Sequence, residues 1–121
     1  MERKPRHLRA GSWAETFACR HLAERGLKLI DRNYRTRSGE IDLIMADGEE
    51  IVFVEVRYRA GAGFGGALAT VDTRKQARLR RTAEWWLQRH DGRGERPCRM
   101  DVVAVSGQPP DVRVEWIRDA F

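Results

Sequence analysis

The chain has 121 residues, 41% apolar and 34% charged, with 23 lysines and arginines against 18 acids for a net charge of +5. That length supplies one domain with a core of its own, which excludes a two-domain reading and argues against wholesale disorder. No apolar run approaches the roughly 18 residues of a membrane span, and no signal-peptide core follows the basic start.

Cys19 and Cys98 stand far apart without metal-ligand spacing, so they do not read as a structural zinc site. The simplest expectation is a cytoplasmic protein with buried, reduced thiols. Only Lys4, Lys28 and Lys75 of the 23 basic residues are lysines, which leaves 20 arginines. Arginine forks suit phosphates and base edges. A genomic bias toward arginine gives the same composition, so composition does not choose between the two.

In chain order, residues 1–11 carry Arg3, Lys4, Arg6 and Arg9 against Glu2, with Pro5 and Gly11 as breakers. They predict a flexible basic arm ahead of a single domain over 12–121. Ser12 and Glu15 have the spacing of a capping box, and Trp13, Phe17, Ala18 and Leu22 recur at helical intervals up to Gly26. Residues 27–34 read as a strand. A hairpin follows, with Asp47-Gly48 between EIDLIMA and IVFVEVRY. Alternation puts Ile41, Leu43 and Met45 on one face of the first hairpin strand and Glu40, Asp42 and Ile44 on the other. On the second, Val52, Val54 and Val56 oppose Ile51, Phe53, Glu55 and Arg57. Both faces are partly apolar, which predicts cover on both sides.

A glycine-rich stretch (Gly61, Gly63, Gly65, Gly66) matches no Walker or dinucleotide pattern and reads as a mobile loop. Asp72 or Thr73 caps a helix over roughly 73–90 that buries Ala77, Ala83, Trp86 and Leu87. Its polar face bears Arg74, Lys75, Arg78, Arg81 and Arg89, and five of the eight residues 74–81 are basic, a density that suits a phosphate track. A connector from Asp91 to Pro97 leads to strands MDVVAV and VRVEWI. The order α-β-β-β-α-β-β describes an α/β domain with a mixed sheet flanked by two long helices.

Asp42 between Ile41 and Leu43, and Glu55 between Val54 and Val56, are acids inside apolar strands. A carboxylate there is costly without a compensating partner, and a divalent cation is one such partner. A turn centred on Asp47-Gly48 places residue 42 opposite 53, with Glu55 diagonal to Asp42. The competing reading pairs Asp42 with Arg57 or Arg59 in a structural ion pair.

The run GEIDLIMADGEEIVFVEVRYR, with KQARLRRTAEWWL after it and MDVVAV before EWIRDAF, resembles the YraN-type family. That family is uncharacterised, regarded as nuclease-like, and similar in fold to restriction endonucleases and archaeal Holliday-junction resolvases. The resemblance spans about Gly11 to Phe121, and GEIDLI with VFVEV is its specific part. It implies a PD-(D/E)xK core, with Asp42 as the motif aspartate and Glu55 as the glutamate of E-x-K. It implies further that Glu15 adds a helical acid to a Mg²⁺ or Mn²⁺ site, and that Gln76 is a polar residue facing that site. The plainer alternatives are a capping role for Glu15, a first-turn polar position for Gln76 and a solvated face for Arg74, Lys75, Arg78 and Arg81.

Arg57 departs from the pattern, because the motif has lysine there. Arginine stays charged throughout the physiological range and is a poor base, although it can clamp a phosphate. The expected function is nucleic-acid binding, DNA foremost; if the chain is an enzyme, the expected reaction is metal-dependent cleavage of branched or damaged DNA. The alternatives are a catalytically impaired binding module of the same fold and a protein-interaction domain. Related resolvases act as symmetric pairs, so a homodimer is an expectation, although no residue here marks an interface.

Overall fold

The hydrophobic periodicity resolves into seven elements: α1 (Arg6–Glu24), β1 (Lys28–Thr36), β2 (Gly39–Asp47), β3 (Glu50–Arg59), α2 (Thr73–His90), β4 (Cys98–Gln108) and β5 (Asp111–Ile117). The structure is a computed structural model that describes residues 6–59, 71–90 and 96–121, with side chains from Ser12 onward. The glycine-rich loop around Gly61–Gly66, residues 1–5 of the basic arm and residues 91–95 of the connector lie outside the described residues.

The strands form one five-stranded sheet in the order β1-β2-β3-β4-β5. All neighbours are antiparallel except β3 and β4, which run parallel with α2 as their crossover. The order and the mixed sheet with two helices are those expected of a restriction-endonuclease-like core. Each face carries its own core. Ala14, Ala18 and Leu22 of α1 pack with Leu43, Met45, Val52, Val54, Val103 and Val105. Leu79, Ala83 and Trp86 of α2 pack with Ile44, Ile51, Phe53, Met100 and Val102. The two-sided cover expected for the hairpin strands is present, and it explains their near-continuous apolar sequence.

Four local expectations change. α1 begins at Arg6, so Ser12 lies inside the helix, where its carbonyl accepts the Thr16 hydroxyl at 3.0 Å. No capping box forms there, and Glu15 is released from that role. At its other end the helix closes as expected: Gly26 (φ +99°) and Leu27 donate to the carbonyls of Ala23 and Leu22, each at 3.1 Å. In α2, Asp72 is the cap, accepting Lys75 N–H at 2.8 Å. Ala77 is exposed, and Leu79 and Thr82 are buried in its place. The Thr82 hydroxyl donates to the Arg78 carbonyl at 2.9 Å, which is how a polar side chain is tolerated there. Finally, Cys98 is exposed and Cys19 only half-buried, so the thiols are free but neither is interior.

The last change concerns register. Asp47 pairs with Glu50, which moves the hairpin turn to Gly48-Glu49, with Gly48 at φ +61°. Leu43 therefore faces Val54, and the next position brings Asp42 opposite Glu55 rather than diagonal to it. Period-two alternation also breaks at Asp42: Ile41 joins the α2-side cluster with Ile44, while Leu43 and Met45 face α1.

Candidate functional site

The break in alternation builds the site. Where backbone pairing of β2 with β3 stops, the Asp42 carboxylate takes over as acceptor, and Val56 N–H donates to its Oδ2 at 2.7 Å. This fastens Asp42 beside Glu55 on neighbouring strands. Burial, then the hydrogen bond and charge of Glu55, hold Asp42 well above the ordinary carboxylate range.

Glu55 is 5% exposed, and its carboxylate meets the ammonium of Lys75 at 2.7 Å. Arg57 Nε lies farther off, 3.9 Å from the same oxygen. The lysine at this carboxylate thus comes from α2, across the crossover. Sequence reading grouped Lys75 with the phosphate track, because one basic residue among five gives no sign of turning inward. The Asp72 cap offers a partial signal, since it fixes where the first turn of α2 starts.

Two further acids border the pair. Glu15 reaches in from α1, and burial raises its proton affinity, against the lowering effect of Arg32, whose Nε lies 3.6 Å away. With the Asn33 amide turned so that its nitrogen faces the acids, it donates to Glu15 Oε1 at 2.8 Å and Glu40 Oε1 at 3.1 Å. Asn33 adopts φ +55°, a left-handed conformation that asparagine tolerates, and so bridges acids from two elements. Glu40 is also paired with Arg35 at 3.3 Å. Glu40 was read only as sharing the face of Asp42, and Asn33 was not a sequence candidate; an asparagine in a strand pattern was the available sign.

Glu40, Asp42, Glu55, Lys75, Arg78 and Leu79 line a cavity of about 260 Å³. Arg74, Arg78 and Arg81 are exposed on α2. Gln76 is placed otherwise than expected: its amide nitrogen donates to the Val71 carbonyl at 3.0 Å, tying down the chain before α2. Asp42, Glu55 and Lys75 are therefore gathered, Glu15 stands apart on the α1 side, Arg57 stands at the margin, and Gln76 serves the backbone.

The donor chemistry of this pair fits a hard divalent ion. Mg²⁺ accepts one or two carboxylates and completes its shell with water and phosphate oxygens. Asp42, half-buried, and Glu55, buried on the neighbouring strand, are such a pair. Among the described residues no three acidic, histidine or cysteine side chains form a ready-made ligand set.

The sequence model of the uncharacterised protein family UPF0102 matches residues 14–105. The chain belongs to this family. UPF0102 proteins similar to it include one from Stutzerimonas stutzeri, 48% identical over 93% of this chain and 93% of the relative. Another, from Alkalilimnicola ehrlichii, is 50% identical over 95% and 88%. A third, from Pseudomonas syringae pv. syringae, is 45% identical over 100% and 98%. The UPF0102 match takes in Glu15, Asp42, Glu55, Lys75 and Arg78. No helix among the described residues of this UPF0102 chain is long and apolar enough to cross a membrane.

Proposed function

We propose that this protein is a nucleic-acid-binding phosphodiesterase, acting on branched or damaged DNA with a divalent ion at Asp42 and Glu55. The observation that carries the reading is the Asp42–Glu55 pair opening into a 260 Å³ cavity beside Lys75 and Arg78. Acids and cations of both signs in one half-open cavity suit a phosphodiester, whose charge needs cations and whose hydrolysis needs an activated water.

Asp42 and Glu55 would hold the ion, and Glu15, which Asn33 ties to Glu40, adds negative charge beside Asp42 from α1. When bound, a Mg²⁺ or Mn²⁺ ion withdraws electron density from the phosphoryl group and offsets charge that builds in the transition state. Lys75 provides a compact ammonium at Glu55, able to orient a water through one of its three donors. Arg78 and Arg57 bind phosphate oxygens, a role in which a permanently charged fork is an advantage.

Flap, junction and single-stranded DNA incubated with Mn²⁺ tests this. Wild type is expected to cleave at least one of them, and Asp42→Asn or Glu55→Gln to lower the rate at least about 100-fold. Lys75→Ala is expected to cost about as much, with Lys75→Arg failing to rescue it. Cleavage that survives loss of both acids overturns the assignment. A binding module of the same fold is the second reading, favoured by Arg57. It predicts DNA binding with no carboxylate-dependent uptake of Mn²⁺ in calorimetry.

A further inference from the structure

Residues 74, 78, 81, 85 and 89 of α2 follow helical spacing and fall within an arc of about 80° at 100° per residue. They are Arg74, Arg78, Arg81, Trp85 and Arg89, all exposed, with no acid among them. Glu84, the one acid of α2, lies outside this arc. Trp85 is 47% exposed, and the Arg89 guanidinium stands 5.9 Å from its ring centroid. Its neighbour Trp86 is the residue that packs into the core, 3% exposed. Packing therefore leaves Trp85 unexplained.

We infer that this stripe is a track for single-stranded DNA, with phosphates on Arg74, Arg78 and Arg81 and an unpaired base stacked on Trp85. This rests on the proposed function, and it names the substrate form. Every base has a π-face, but in a duplex that face is covered by its neighbours; an exposed tryptophan can take it only from an unpaired nucleotide. Arg78 fixes the direction of the track, since it both belongs to the stripe and lines the acid cavity. Trp85 lies about 10 Å along the helix axis from Arg78, so a strand held at the cavity by one phosphate runs on to the ring. A protein partner fits less well. The other exposed large apolar side chains among the described residues, Leu29 and Ile30, are on β1, so Trp85 has arginines around it in place of an apolar patch.

Fluorescence anisotropy in EDTA, with labelled dT15 and a 15-base-pair duplex as probes, tests the inference. Wild type is expected to bind dT15 more tightly than the duplex. Trp85→Ala should weaken dT15 binding about tenfold or more, with Trp85→Phe retaining most of it. Duplex affinity should move by less than about twofold. Circular dichroism verifies that these surface variants fold. Unchanged dT15 affinity in Trp85→Ala, or an equal loss for duplex, overturns the inference, as does wild-type preference for duplex. Cleavage is scored separately in Mn²⁺. A wild type that cleaves but ignores Trp85→Ala fails the track alone. A chain that holds dT15 through Trp85 without cleaving fails the phosphodiesterase reading alone.

Discussion

Asp42 is held where its charge is expensive, which gives the residue a measurable signature apart from catalysis. Its folded-state proton affinity is raised by burial and by Glu55, so the folded protein binds a proton more tightly here than the unfolded chain does. Its contribution to stability is thus fully present below the ordinary carboxylate range and is lost as pH rises through the raised value. Near neutral pH the residue destabilises the fold. In metal-free buffer, Asp42→Asn is expected to raise the melting temperature at pH 7, and the gain should vanish as pH falls below about 4. Mn²⁺ should raise the wild-type melting temperature and leave that of Asp42→Asn nearly unchanged. Calorimetric scans across pH check both, and a variant less stable than wild type at pH 7 contradicts the first. Asp42 and Glu55 were legible because acids in apolar strands contradict their surroundings. Lys75 was not, since its meeting with Glu55 crosses a long sequence separation that no local pattern encodes.

At the scale of elements, the site depends on how α2 is seated. Asp72 caps the helix through Lys75 N–H, and Trp86 anchors it, its ring edge-on to Phe53 at 6.0 Å. Thr82 adds a lateral contact, its hydroxyl 3.3 Å from that of Thr36 near the β1–β2 turn. Asp72→Ala is expected to cost about 1 kcal/mol of stability and to lower cleavage further than that loss of folded protein explains, because it loosens Lys75. Trp86→Ala should cost about 3–5 kcal/mol in denaturant unfolding. At the turn between β4 and β5, Gly107 adopts φ +83°, and a Cβ there would strike the Asp111 carbonyl oxygen. Gly107→Ala should therefore destabilise the fold by at least about 2 kcal/mol. The helices and strands themselves were readable from periodicity. The start of α1 was not, because Ser12 with Glu15 imitates a cap that packing does not use.

Across the whole molecule, opposite charges are sorted into different roles. Arg99 is enclosed by Asp101, Asp47 and Glu50, with a 2.6 Å contact to Glu50, and the fully buried Asp101 also accepts the Trp116 indole N–H at 2.8 Å. That arginine is structural. Arg99→Ala leaves Asp101 short of its cation and is expected to cost about 3–5 kcal/mol, without a selective effect on DNA binding. The exposed arginines of α2 are the reverse case. DNA affinity should fall steeply with salt, and each of Arg74→Ala, Arg78→Ala and Arg81→Ala should reduce the log–log slope by about one while leaving thermal stability nearly unchanged. A salt-independent affinity would contradict that reading and favour a genomic origin for the arginines.

The sequence by itself determined the element order, the two-sided apolar strands and the anomaly of two acids within them, because periodicity and burial cost are local quantities. Only the tertiary structure decided what those acids face. A hairpin turn one residue further on changed the cross-strand partner of Asp42 from Phe53 to Glu55. The parallel crossover then brought Lys75 of α2 against Glu55, while Gln76 beside it was spent on a backbone carbonyl. Register and crossover geometry are set by packing over the whole sheet, and so no window of the chain records them.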